Sequence, residues 1–421
     1  MSREEIEQVE KELDEVLEIV QRPVPVKNTG REETVSLQEN LQENDPLQEE
    51  MQIETEKEEK EEKEDSPESA AKEQTAVSEE ELDLEDDIEN GYFHFLRPSD
   101  GLIAAFFVPV AVLIILFAQR GIFPFGEECF LRTDMYHQYA PFFSEFQYKL
   151  KQGGSLLYSW DIGMGVNFSA LYAYYLASPV NWLIILCPKK FIIEFMTILI
   201  TIKTGICGVT FTWYLDHHFE KKHFVAGVFG IFYALSGYMA AYSWNIMWLD
   251  CIFLLPLILY GLEQLVQEKK GLFYCVTLGL SILSNYYISI MICIFMVMYV
   301  IVQVILYPPK KIKDLVATGV RFGFYSLLAG GLAAVVLLPE IYALQATASG
   351  DFDFPKTISC YFSIFDMIAR HIGNVGTEIG LDHWPNIYCG VAVLMFLLLY
   401  LGAKKITVRE KAVYCGLLLM F

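Results

Sequence analysis

From Gly101 onward the chain is a succession of apolar runs too long for the core of a small soluble domain. Gly101 to Ala118 carries no charge, and at about 1.5 Å per residue it covers most of a bilayer core of about 30 Å. Phe224 to Leu262 is interrupted only by Asp250, and Gly271 to Pro309 has no charge at all. Each of these is about twice the roughly 20 residues one span needs, which predicts helical hairpins turning near Trp244-Asn245 and near Ser284 to Tyr287. The pattern therefore predicts an all-α polytopic membrane protein. Its transmembrane domain covers 95–421, with spans near 101–119, 192–215, 224–243, 246–265, 271–284, 286–306, 315–338 and 387–403. The apolar residues 413–421 stop after about two turns, as an incomplete last span of a chain that continues further.

Residues 1–90 follow a different pattern. They lack Phe, Trp and Tyr and hold 33 acidic against 9 basic residues, while the rest of the chain holds 20 against 22. So little apolar area cannot offset the entropy of ordering, which predicts a disordered acidic tail. Within it Ile6, Val9, Leu13, Val16 and Val20 step by three and four, the seam of a short coiled coil over 4–20 or of a solvated helix. The first residues are acidic and have no apolar stretch, so they are not a cleavable signal peptide. With no basic surface, nucleic-acid binding is excluded.

Charge also sets the expected topology. Val180 to Cys187, between Pro179 and Pro188, is too short to cross. If it does not cross and the tail is cytoplasmic, Lys221, Lys222, Lys269, Lys270, Lys310, Lys311, Lys313, Lys404, Lys405, Arg409 and Lys411 all fall inside. If it crosses, all of them face out. The positive-inside rule favours the first arrangement, with 179–188 re-entrant or interfacial. Two long extracytoplasmic loops follow, near 120–191 and 340–386. Spans poor in ionisable groups, with Lys203 and Arg321 the main ones, place any chemistry at the outer face rather than at mid-membrane.

In the first outer loop, Asp134, His137 and Gln138 stand at i, i+3 and i+4. On an α-helix they share a face: a carboxylate able to act as general base, with an imidazole and an amide able to orient a sugar. The same spacing also reads as a helix start, with Thr133 or Asp134 as its cap. Tyr158, Trp160 and Asp161 lie between Gly153-Gly154 and Gly163 to Gly165, a sugar-stacking platform or an interfacial turn. The second loop carries Asp351, Asp353, Lys356, Asp366, Arg370, His371, Glu378, Asp382 and His383. Their spacing matches no zinc pattern, although Arg370 beside His371 suits a phosphate. Nine cysteines form no CxxC, and Cys129 and Cys360 are the pair in outer loops. No cofactor is required by the sequence, and a divalent metal is left open.

Five segments in this order, TDMYHQYAPFF, YSWDIGMGVNFSALYAYYLASPVNWL, NIMWLDCIFLLPLILYGLE, SNYYISIMICIFMVMYV and WPNIYCGVAVL, resemble the YfhO family of bacterial membrane proteins over about 95–421. The acidic tail has no counterpart in that pattern. The resemblance implies a GT-C-like helical bundle in the cell membrane of a Gram-positive bacterium. It also implies transfer of a sugar from a polyprenyl-phosphate donor to a cell-envelope acceptor such as lipoteichoic or wall teichoic acid. An Asp just after the first span serves as base in such enzymes, and Asp134 matches it. Gln138, Tyr139, His137, Trp160, Tyr174, Tyr175 and Arg370 are then the candidate substrate-binding residues, and Lys189, Lys190, Arg132, Lys203 and Arg370 the candidate cations for the leaving phosphate. The rival expectations are a transporter or flippase of a lipid-linked precursor, working through Lys203 and Arg321, and a structural hub whose acidic tail recruits a cytoplasmic partner.

Overall fold

The computed structural model of the protein describes residues 97, 99–347, 362–372, 376–379 and 384–420. The chain divides into Met1–Ile88 and Glu89–Phe421. The acidic tail with its 4–20 heptads lies outside the described residues, as do Asp351, Asp353, Lys356, Cys360, Asp382 and His383.

The second unit is a bundle of α-helices with one two-stranded ribbon. The first helix, α1 (Asp100–Gln119), leads into a loop that ends in α2 (Ala140–Gln152). Short antiparallel strands β1 (Tyr158–Ser159) and β2 (Val166–Asn167) follow, then α3 (Phe168–Leu171), capped by the Asn167 side chain accepting from the Ala170 amide. The remaining helices are α4 (Ile192–His218), α5 (Phe224–Ala234), α6 (Gly237–Tyr242), α7 (Leu249–Gln267), α8 (Leu272–Ser284), α9 (Tyr286–Leu306), α10 (Ile312–Leu332), α11 (Ala334–Gln345), α12 (Ile364–Ala369), α13 (Val391–Gly402) and α14 (Val408–Met420). Among the described residues six stretches are long and apolar enough to cross a membrane: Asp100–Gln119, Lys189–His218, Phe224–Tyr242, Leu249–Gln267, Tyr286–Leu306 and Ile312–Leu332.

Several elements differ from the run lengths. The run near 315–338 starts earlier, at Ile312, and breaks at Ala333 into α10 and α11. The hairpin arm near 271–284 is a helix of only 13 residues. Residues 179–188 do not cross as a helix of their own: Pro179–Leu186 is a 3₁₀ helix bent by 102° from Phe168–Leu176. Pro179 fixes the first residue of that turn, where a missing amide costs nothing.

The centre of the bundle is α4 and α7; α1 and α10 are mostly exposed along their length. Small residues let α1, α4 and α5 approach closely. A Cβ on Gly208 would collide with the Ala105 carbonyl, and one on Gly230 with Thr212 and the Gly208 carbonyl, the close backbone packing that membrane helices use. Two polar knots tie the interior. Lys203 on α4 is ion-paired with Asp250 on α7 and also donates to the Ile246 carbonyl, while the Ser178 hydroxyl donates to the other Asp250 oxygen. Toward the other end, Glu263 accepts from the hydroxyls of Tyr214 and Tyr299 and contacts His218 Nδ1 at 2.9 Å. At that end the chain turns at 219–223, 268–271, 307–311 and 403–407, so the lysine clusters gather there.

Candidate functional site

The opposite end holds the two predicted outer loops and the turns between α6 and α7 and between α8 and α9. Thr133 sits in the left-handed region, at φ 52°, a costly backbone for a β-branched residue that recurs at functional sites. Asp134 follows it at the N-cap position of a π-helical turn, Met135–Tyr139, but its side chain makes no capping bond. The carboxylate is half-buried and makes no hydrogen bond or ion pair among the described residues, so the cap reading does not describe its use.

The π turn also corrects the expected face. Its i→i+5 pattern is wider than an α-helix, so each residue rotates by less, and a side chain three places on no longer lies above the first. His137 accordingly points out to solvent, its ring against Tyr136, while Gln138 turns inward and its Oε1 accepts from the Tyr175 hydroxyl at 2.9 Å. Tyr139 is buried and donates to Asn245 Oδ1 at 2.7 Å. Burial pushes its phenol well above the usual tyrosine range, and the neighbouring Tyr175 and Asp134 push it the same way.

From this turn a continuous aromatic patch runs across the end of the bundle. Tyr175 packs against Tyr139 and Phe142, with ring centroids 5.6 and 4.9 Å apart, and Tyr174 stands 4.7 Å from Tyr175. Tyr174 in turn meets Tyr286 and Tyr287, each at 6.0 Å. Trp244 stacks on Tyr139 at 6.0 Å, and Trp248 lies 6.4 Å from Tyr287. Asn285 holds the patch in register: its Oδ1 caps α9 by accepting from the Ile288 amide, and its Nδ2 donates to the Tyr174 carbonyl. Tyr286 donates to Glu340 of α11 at 2.7 Å. Among the described residues four buried polar atoms here have no hydrogen-bond partner: Asn245 Nδ2, Trp244 Nε1, Trp248 Nε1 and Glu340 Oε2.

Beside the patch a cavity of about 1030 Å³ is walled by Val112, Leu113 and Leu116 of α1 and reaches Arg120, Glu128 and Arg132 at its polar rim. Arg132 is fixed there by donating to the Ala240 carbonyl at 3.3 Å. The other predicted cations are placed differently. Lys203 is spent on Asp250 and is almost fully buried. Lys189 and Lys190 are exposed, the latter over the ring of Phe191. Arg370 is not presented to a phosphate: it donates to the carbonyls of Pro385 and Gly376, to Glu378 and to Asn386, all in its own loop. Its work is to shape that loop, whose Asn386 reaches Tyr242 at 3.3 Å. His371 contacts the Met367 carbonyl of its own helix. Trp160 is 76% exposed on the ribbon, against Tyr158 rather than against the tyrosine patch. Cys129 is exposed, with a free thiol. Among the described residues no group of three or more His, Cys, Asp or Glu side chains could hold a metal ion.

Trp244, Asn245, Trp248, Tyr286 and Glu340 were not expected at the site. Trp244, Asn245 and Tyr286 sat in the sequence as hairpin turns, Trp248 inside the span near 246–265, and Glu340 as the edge of a loop. Their one legible signal was an amide and aromatics inside otherwise apolar runs, each at a point where the chain reverses.

The family model of the bacterial membrane protein YfhO matches residues 104–421, three quarters of the chain, and the chain belongs to that family. No curated protein and no solved structure matches it.

Proposed function

We propose that this member of the YfhO family is a membrane glycosyltransferase. It moves a sugar from a polyprenyl-phosphate donor to a hydroxyl of a cell-envelope acceptor, a teichoic acid, on the extracytoplasmic face. The observation that carries the reading is Asp134: a half-buried carboxylate without a partner among the described residues, beside a tyrosine patch and two residues beyond an arginine that lines the cavity against α1.

In the step this arrangement serves, the Asp134 carboxylate takes the proton of the acceptor hydroxyl. The acceptor oxygen attacks the anomeric carbon, the bond from that carbon to the phosphate oxygen breaks, and the lipid phosphate leaves with the electron pair. Arg120 and Arg132 at the cavity rim stand where that negative charge grows. The apolar wall of α1 suits a carrier chain that stays in the bilayer. Gln138, Tyr174 and Tyr175 present amide, hydroxyl and ring faces to a sugar, and the buried Tyr139 backs them. The lysine clusters at the far end support an inward orientation for that end, and with it a cytoplasmic tail.

The rival reading, a carrier of lipid-linked precursors, loses support from Lys203, whose charge is neutralised within the bundle. The test is the sugar content of purified teichoic acids from cells carrying the wild type, no gene, or Asp134→Asn. The Asn form is expected in the membrane at the normal level, with decoration reduced about 10²- to 10⁴-fold. Normal decoration with Asp134→Asn removes the assigned base. Undecorated acceptor with Lys203→Ala present in the membrane at the normal level and with the wild-type unfolding midpoint, but not with Asp134→Asn, moves the function to the membrane interior.

A further inference from the structure

Glu340 is the only charged residue of α11. It is 5% exposed, on a helix otherwise suited to apolar surroundings. One oxygen accepts the Tyr286 hydroxyl at 2.7 Å and the other has no partner. A buried carboxylate oxygen without a donor is destabilising, and a ligand that donates to it would complete it. The surroundings define that ligand. Tyr286 faces Tyr174, Tyr174 faces Tyr175, and Tyr175 is bonded to Gln138, four residues from Asp134. The two carboxylates therefore bound one band of tyrosine rings and hydroxyls. No cation stands against Glu340 among the described residues, which argues against a phosphate or carboxylate ligand. Ring faces that stack on C–H surfaces, beside an acceptor that needs an O–H, suit a neutral saccharide.

We infer that Glu340, held by Tyr286, is the saccharide-hydroxyl acceptor of a sugar subsite formed with Tyr174 and Tyr287. The inference rests on the glycosyltransferase reading for the use of that subsite but not for its existence. Glu340 Oε2 accepts a ring hydroxyl while the pyranose lies against the tyrosines. Asp134 is left for the hydroxyl that reacts. Glu340 would thus decide which sugar is seated, and Asp134 whether it is transferred.

The test is a binding measurement that needs no transfer. The full chain in lipid nanodiscs is titrated with methyl α-glucoside, methyl α-galactoside and methyl N-acetyl-α-glucosaminide, with quenching of intrinsic fluorescence as readout. At least one glycoside is expected to bind the wild type at millimolar concentration. Glu340→Gln, which keeps the shape and removes the carboxylate, is expected to weaken that binding tenfold or more. Tyr286→Phe, which keeps the ring and frees the carboxylate, is expected to weaken it several-fold and stands in if the Gln form does not fold. Wild-type affinity in Glu340→Gln, or in Tyr286→Phe where that is the form that folds, overturns the subsite, and so does a wild type that binds none of the three. Binding that depends on Glu340 in a protein whose Asp134→Asn form decorates normally keeps the subsite and removes only the enzyme reading.

Discussion

Two kinds of buried polar group divide this bundle. Asp250 and Glu263 are closed: Lys203 and Ser178 complete one, and Tyr214, Tyr299 and His218 complete the other. Around the tyrosine patch the groups are open. Asn245 uses its oxygen and not its nitrogen, Glu340 uses one oxygen of two, and the Trp244 indole uses nothing. Buried polar atoms are nearly always paired, so a closed knot is architecture and a cluster of open ones marks a place that a ligand can complete. Isolated open atoms also occur at Asn181, Glu194, Asp216, Gln303 and Tyr400. At the patch four of them cluster along linked aromatic rings that reach the Asp134 carboxylate.

The largest expected effect belongs to the closed class. Lys203→Ala strands Asp250 among apolar neighbours and is expected to cost about 3–5 kcal/mol, read as a lower unfolding midpoint of the purified protein in detergent. Lys203→Met combined with Asp250→Leu removes both charges and should recover most of that loss. An Ala form as stable as the wild type would show that this knot is not structural, and the division between closed and open groups would fail at its clearest member. That knot also joins α4, α7 and the Pro179 turn through Ser178, so the loss should extend to the segment that carries Tyr174 and Tyr175.

A smaller effect separates stability from function at the boundary of the two classes. Tyr139→Phe keeps the buried ring and removes only the donor to Asn245 Oδ1. Its expected cost is about 1 kcal/mol of stability, the worth of one hydrogen bond. If the proposed function holds, decoration should fall further than that cost explains, because Asn245 then loses the bond that fixes it against Tyr139. If decoration stays at the wild-type level, Asn245 belongs with the architecture.

What the sequence disclosed follows the same line. The apolar runs disclosed an all-α membrane bundle because span length is set by the bilayer and leaves little freedom. Asp134 stood out as a carboxylate in the polar segment that follows α1. The inward turn of Gln138 and the outward turn of His137 were not, since a strained Thr133 and a π turn replaced the α-helical face. Glu340 was out of reach for a different reason. It lies about two hundred residues from Asp134, and α10 has to break at Ala333 before Glu340 can meet Tyr286. Arg370 misled for the converse reason: composition shows a charge but not the carbonyls that will occupy it.

The smallest expected effect is at Trp160, and it is the sharpest check on where the proposed sugar site lies. By sequence it is the obvious stacking residue, an indole between glycine pairs. In the structure it is 76% exposed and touches Tyr158 at 4.8 Å on the ribbon. Trp160→Ala should change stability by no more than about 0.5 kcal/mol, as exposed substitutions do, and should leave decoration near normal. Trp244→Phe, at a buried indole stacked on Tyr139, should reduce decoration, because it removes an open N–H while keeping a ring. If the order is reversed, with Trp160→Ala silent in stability but decoration lost, the sugar is seated on the ribbon. The open atoms at the bundle end would then have to be completed by something other than the substrate.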